Sequence, residues 1–411
     1  MRGESLQLNR VQVDAYLAWK MLGWLLLAQI MVALVGRSLA PLAPLMAEDL
    51  QLTNAQVGLF PSFLFLGQML VSIPSGLLVD RIGTRRLLLV VCFLLGASYL
   101  VASFLTSFVW ILVFIMLGGM AYGTMHPVTN RGILYWFPER RRGTAMGIKQ
   151  MGVTFGSALA AILLLPLALT IGWRIAMAVA CLLLIFAGIL SYWSYKERPI
   201  EEKVKSVDKG PLVSQVLSVI KHRPLLLISL VAFLLNGAQM TLNVYLIFFV
   251  SNELLYSLAI AGMMLVLSEV GGSVGRIVWG TMSDTLFKGS RFAVMLLLTI
   301  IAFSGMFTMS FLQTTIPLWL LTMIIFILGF AVSGFNGLWM NIATELTPPD
   351  KAGLASGVSL TIGSMGVITL PPLFGLIVDM SGSFTLAWMF MSILMIVAIG
   401  LLIGLRKRRS F

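Results

Sequence analysis

The sequence predicts an all-α polytopic membrane protein, with twelve transmembrane helices in two pseudo-symmetric six-helix bundles. Three observations carry this. Apolar residues make up 59% of the 411 and charged residues only 11%, at a mean hydropathy of +0.98, more apolar surface than a soluble domain can hide. The apolar residues fall into runs of about twenty or more, the length a helix needs to cross roughly 30 Å of hydrocarbon. Short sequences also recur between the two halves at a near-constant offset. Strands are excluded, because lipid admits only helix bundles or closed barrels and these runs are far longer than barrel strands.

Taken in order, the spans fall at about 22–46, 55–79, 86–106, 108–136, 143–168, 173–194, 224–251, 256–283, 292–313, 316–344, 352–378 and 384–405. The first follows about twenty residues of mixed polarity and carries Arg37, which does not fit a cleavable signal peptide. The second ends in GLLVDRIGTRR, residues 76–86. There Gly76 allows a close helix approach and Gly83 the positive φ of a tight turn. Cys92 and Cys181 lie inside apolar runs as packing residues, with no disulfide or metal spacing.

The one long loop, 196–223, mixes Glu, Lys and Asp and divides the chain six spans to six. This gives an N-terminal bundle at 1–195, a linker, and a C-terminal bundle at 224–411 with a basic tail. The net charge of +12 sits in loops as a topology signal rather than a nucleic-acid surface. One side receives the N-terminus, Arg81, Arg85, Arg86, Arg140 to Arg142, the linker, Lys288, Arg291, Lys351 and Arg406 to Arg409. The other has Arg174 as its only Lys or Arg, beside Glu48, Asp49 and Glu253. Both termini are therefore expected in the cytoplasm, in a cell (inner or plasma) membrane.

Gly76-x3-Asp80 recurs as Gly280-x3-Asp284, each after the second span of its half, at an offset of 204 residues. Gly143-x-Ala145-x-Gly147 recurs as Gly353-x-Ala355-x-Gly357, each opening a fifth span, at an offset of 210. FPERRRG and TPPDKAG fall in the same register. Each match alone is weak; in order and at one offset they indicate internal duplication.

GLLVDRIGTRR resembles the hallmark loop between helices 2 and 3 of the major facilitator superfamily, and GTMSDTLFKGSR its weaker copy between helices 8 and 9. The resemblance covers essentially the whole chain. It implies a central cavity between two bundles and alternating access by their rocking. The stretch HPVTNRGILYWFPERRRGTAMG is similar to the helix 4–5 region of the anion:cation symporter and organophosphate:phosphate antiporter branches. Pro127, Asn130, Arg131, Trp136, Phe137, Pro138, Arg142, Ala145 and Gly147 fit that pattern. Those branches carry a substrate-binding arginine in helix 1, and Arg37 stands in the matching place. Three departures matter. Gly36 replaces the symporters' usual acid, Ala121 to Thr124 lack their mid-helix carboxylate, and the seventh span lacks the phosphate antiporters' arginine.

Charged groups deep in a span cost about 2.5–3.5 kcal/mol on insertion scales, so each needs a partner or a cavity. Arg37, a planar and permanently charged fork, suits bidentate capture of a carboxylate. Lys149 lies about two turns into the fifth span, among Gly147, Gly152 and Gly156, with Gln150 beside it. It can line a cavity or snorkel to the headgroups. Asn236, Gln239 and Asn243 put three amides on one face of the seventh span, and Ser333 and Asn336 add a polar pair on the tenth. These residues can bind substrate or join helices. Glu269 and His126 are the candidates for proton coupling, Glu269 having Arg276 at i+7 as a possible fixed partner.

Gly76, Asp80, Arg81, Gly83, Arg85, Arg86, Arg131, Arg276, Asp284 and Glu345 form the expected conformational gate. In it, Asp80 would accept from the start of the eleventh span near Lys351 to Gly353.

The excess of buried cations over acids favours a secondary transporter of a small organic anion, a monocarboxylate or sugar acid, coupled to protons and working as a monomer. The alternatives are a proton-driven drug or metabolite exporter and a non-transporting membrane sensor. No enzyme is expected and no cofactor is implied. The chain has no GxxxxGK[ST] loop, and His126 and His222 are its only histidines, without zinc-ligand spacing.

Overall fold

A computed structural model of the chain describes residues 2–197, 222–287, 290–347 and 352–407. Among these are twelve helices long and apolar enough to cross a membrane, as the sequence predicts. They are α1 Tyr16–Leu50, α2 Asn54–Ile82, α3 Thr84–Phe104, α4 Phe108–Trp136, α5 Arg141–Ile171, α6 Trp173–Ser194, α7 Arg223–Glu253, α8 Leu258–Thr285, α9 Arg291–Met309, α10 Leu318–Glu345, α11 Ala352–Ser381 and α12 Phe384–Lys407. Most of the linker and the last four residues of the basic tail lie outside the described residues.

Two helices are broken where the sequence suggests continuous spans. In α1, the helix Arg2–Arg37 stops at Ser38 and resumes as Leu39–Leu50. Pro41 is the cause: it has no N–H to offer the Arg37 carbonyl four residues back, and its ring crowds that oxygen. The Ser38 amide and hydroxyl instead bond the Val35 carbonyl, at 3.2 and 2.6 Å.

In α10 the break is the turn 333–335, between Leu318–Val332 and Asn336–Glu345. The Gly334 amide bonds Ala331 rather than Phe330. The Phe330 carbonyl takes the Trp279 indole N–H of α8 at 2.9 Å, and Arg276 Nε donates to the Ser333 carbonyl at 3.2 Å. Irregular backbone at membrane depth persists only where protein groups supply such bonds.

By contact the chain divides into two units, 1–38 with 66–203, and 39–65 with 204–411. In the first, α3 lies along α4 and α6, while α1 packs on α5 and α6. Cys92 and Cys181 are both buried and unpaired there, as packing residues should be. In the second, α7 lies along α11, α8 along α10, and α9 along α12.

The stretch 39–65 belongs by sequence to the first six spans, yet it packs in the second unit. The Tyr245 hydroxyl of α7 donates to the Asn54 carbonyl at 2.7 Å, with the Pro371 carbonyl also within reach at 3.0 Å. The Ser62 hydroxyl of α2 donates to the Ile368 carbonyl of α11 at 2.6 Å.

Candidate substrate site and gate

In the first unit the polar residues gather on α4. Tyr122, His126 and Asn130 follow at i, i+4 and i+8 and so share one face. Arg37, the last residue before the α1 break, donates from Nε to the Tyr122 hydroxyl at 3.3 Å. Lys149 is 3% exposed, and its amine donates to the Asn130 side-chain carbonyl at 2.9 Å. Two cations thus meet one α4 face through a phenol oxygen and an amide oxygen, at positions about 12 Å apart along the helix at 1.5 Å per residue. Gln150, next to Lys149, is exposed.

Tyr122 also bears on residue 36, where the family pattern has an acid and this chain has glycine. A Cβ on Gly36 would lie 2.5 and 2.7 Å from carbons of the Tyr122 ring. No side chain fits at residue 36 while that ring is in place. The ring fills the space at residue 36, and its hydroxyl lies beside the arginine.

In the second unit the amide face of α7 is split between neighbours. Asn243 donates to Glu269 of α8 at 2.8 Å, both groups being buried. Asn336, just after the α10 break, donates to Gln239 at 3.4 Å. Asn236 donates to the Ala232 carbonyl of its own helix at 2.9 Å. Arg276, expected in the gate towards the cytoplasmic end of its helix, bonds the α10 break.

Of the expected gate, Asp80 and Arg131 are brought together, Nη1 to Oδ1, at 2.6 Å. Arg131 also reaches the Val79 carbonyl and donates to the Tyr135 hydroxyl at 2.9 and 2.7 Å. Arg85 faces α6, where Nε donates to the Tyr192 carbonyl at 2.6 Å and the guanidinium lies 4.5 Å from that ring's centre. Gly83 has the anticipated positive φ, 89°. The Thr84 amide that follows it donates to Glu197 at 2.6 Å, a cap on α3 that the sequence reading missed. Glu345 pairs with Arg291 at the start of α9. Arg81, Arg86 and Asp284 are exposed. Lys351, the expected neighbour of Asp80, lies outside the described residues.

Tyr122, Asn130 and Trp279 are absent from the sequence-derived site. The i, i+4, i+8 spacing on α4 was the available signal for the first two. The indole of Trp279 carried none, since its acceptor exists only because α10 breaks.

The model of the family described as Major Facilitator Superfamily matches residues 25–366. The chain belongs to the Major Facilitator Superfamily. This member is 27% identical over 84% of its length to an uncharacterized MFS-type transporter of Mycobacterium tuberculosis, covering 76% of that protein. It is 25% identical to a probable galactarate/D-glucarate transporter of Bacillus subtilis, over 88% of this chain and 86% of that one. Among solved structures, the fold matches a bacterial homolog of the human lysosomal transporter Spinster with a TM-score of 0.76 at 17% identity, covering 95% of each chain. The fold is that of a multi-pass membrane transporter, and the protein is not an enzyme. Its likeness lies with the anion:cation symporter and organophosphate antiporter branches.

Proposed function

We propose that this superfamily member is a secondary active transporter of a small organic anion, a sugar acid or monocarboxylate, moved by alternating access and coupled to protons. One observation carries the reading: two cations, Arg37 and Lys149, both donate to a single α4 face, at Tyr122 and Asn130. A carboxylate is the natural complement. It can take two parallel N–H bonds from the guanidinium, while the ammonium receives a second anionic or hydroxyl oxygen. The likeness to a probable galactarate/D-glucarate transporter supports a hydroxylated acid.

Coupling is assigned to Glu269, held by Asn243, with His126 as the second candidate. A carboxyl group that gains or loses a proton in the membrane changes the cost of each conformation, which is what links proton movement to rocking. Both termini would face the cytoplasm and the protein would work as a monomer.

The test is counterflow of labelled glucarate and glucuronate in proteoliposomes. Native protein should exchange them, and Arg37→Ala should lose at least tenfold in rate while remaining folded by size exclusion. Unchanged exchange by that variant would remove Arg37 from the site and favour an exporter with a different cavity. Binding without any exchange would favour a sensor.

A further inference from the structure

We infer that Asp379, at the end of α11, is an inverted counterpart of the hallmark aspartate Asp80 and latches the opposite face of the transporter. The inference rests on the alternating-access reading.

The sequence GLIVDMSGS, residues 375–383, repeats GLLVDRIGT, residues 76–84, with Gly, Leu, Val, Asp and Gly identical at five of nine positions. The offset is 299 residues, outside the half-to-half register of 204 to 210. Both copies close a helix. Asp80 stands two residues before the end of α2, Asp379 two before the end of α11, and Gly83 and Gly382 follow with φ of 89° and 69°. α2 is the second helix of the first three and α11 the second of the last three. The matching end of α5 keeps the positive-φ glycine, Gly172, but has Leu169 in place of the acid.

The two copies differ in what they hold. Asp379 receives the Asn54 amide at 2.9 Å, the Ala55 amide at 2.8 Å and the Asn54 side chain at 2.8 Å. It thus caps the start of α2, where unbonded N–H groups and the helix field favour a carboxylate. Gly375 makes this approach possible, because a Cβ there would strike the Asn54 backbone. A Cβ on Gly76 would meet nothing within 4 Å among the described residues, and Asp80 bonds Arg131. The start of α2 and Asp80 are about 39 Å apart along one helix, which puts the two aspartates on opposite faces of the membrane. α2 therefore carries an aspartate at one end and is held by one at the other. In alternating access Asp379 would close its face in one state and the Asp80 copy the other face in the other. Rocking must exchange them.

Ser62, 3% exposed and bonded to Ile368, reports the α2–α11 seam. Ser62→Cys is to be labelled in membranes with an impermeant maleimide; the parent chain, whose two cysteines are buried, sets the background. Asp379→Asn should raise the labelling rate about tenfold, and Asp80→Asn should lower it. Asn54→Ala, which removes one of the three bonds and leaves the aspartate in place, should raise it about threefold and covers the case of a poorly folded Asp379→Asn. The latch is overturned if Asp80→Asn moves the rate while neither change at the Asp379 site does. If no variant moves it, the alternating-access reading falls as well.

Discussion

Gly36→Ala is the smallest change that separates the α1–α4 contact from its surroundings. The added methyl would sit 2.5 Å from Tyr122 Cδ2 and 2.7 Å from Cε2, closer than carbon atoms tolerate. Either the ring swings away or α1 shifts, and both displace the hydroxyl that Arg37 Nε reaches at 3.3 Å. Overpacking a well-filled site costs about 1–3 kcal/mol. Spent on the substrate-competent geometry, that is about five- to 150-fold in exchange rate, at 1.4 kcal/mol per tenfold. The assay is sugar-acid counterflow, read as a double-mutant cycle with Tyr122→Ala. With the ring gone, the same methyl has nothing to strike, so Gly36→Ala should cost little in that background. Equal losses in both backgrounds would refute the argument, since the effect of residue 36 would not then pass through Tyr122.

Two other outcomes follow from the structure. Pro41→Ala returns an N–H to the Arg37 carbonyl and should straighten α1; the protein should unfold at a higher temperature in detergent yet exchange substrate more slowly, because Arg37 turns away from Tyr122. Glu269→Gln keeps an oxygen for the Asn243 amide but cannot carry a proton. Counterflow should persist while uphill accumulation driven by a pH gradient disappears, and accumulation at the native level would rule out Glu269 as the coupling group.

The twelve helices were legible because lipid leaves the backbone few options, and length and hydropathy then locate each span. The fourth span was expected at 108–136 and is observed at Phe108–Trp136. The breaks were not legible by that measure. Pro41 and Gly334 sit inside runs apolar enough to read as whole helices, and the interruption shows only in which carbonyl goes without its usual donor. Arg276 was assigned to the gate for its charge and its place towards the cytoplasmic end; its bond at the α10 break uses a carbonyl that is available only because that helix is interrupted. Tyr122 was overlooked because a phenol is neutral, although it occupies the place where the family's acid would be sought. Asp379 escaped because an inverted repeat does not fall at the offset of a direct one.

The interruption of α1 has an electrostatic consequence. Arg37 ends a long helix, and a helix terminates in carbonyls equivalent to about half a negative charge. Pro41 places that partial charge in the membrane beside the guanidinium. Such a fixed dipole lowers the cost of housing a cation in lipid, yet binds it more weakly than a full carboxylate on a mobile side chain would. The proline thus makes the backbone itself part of the counter-field of a permanent charge held at membrane depth.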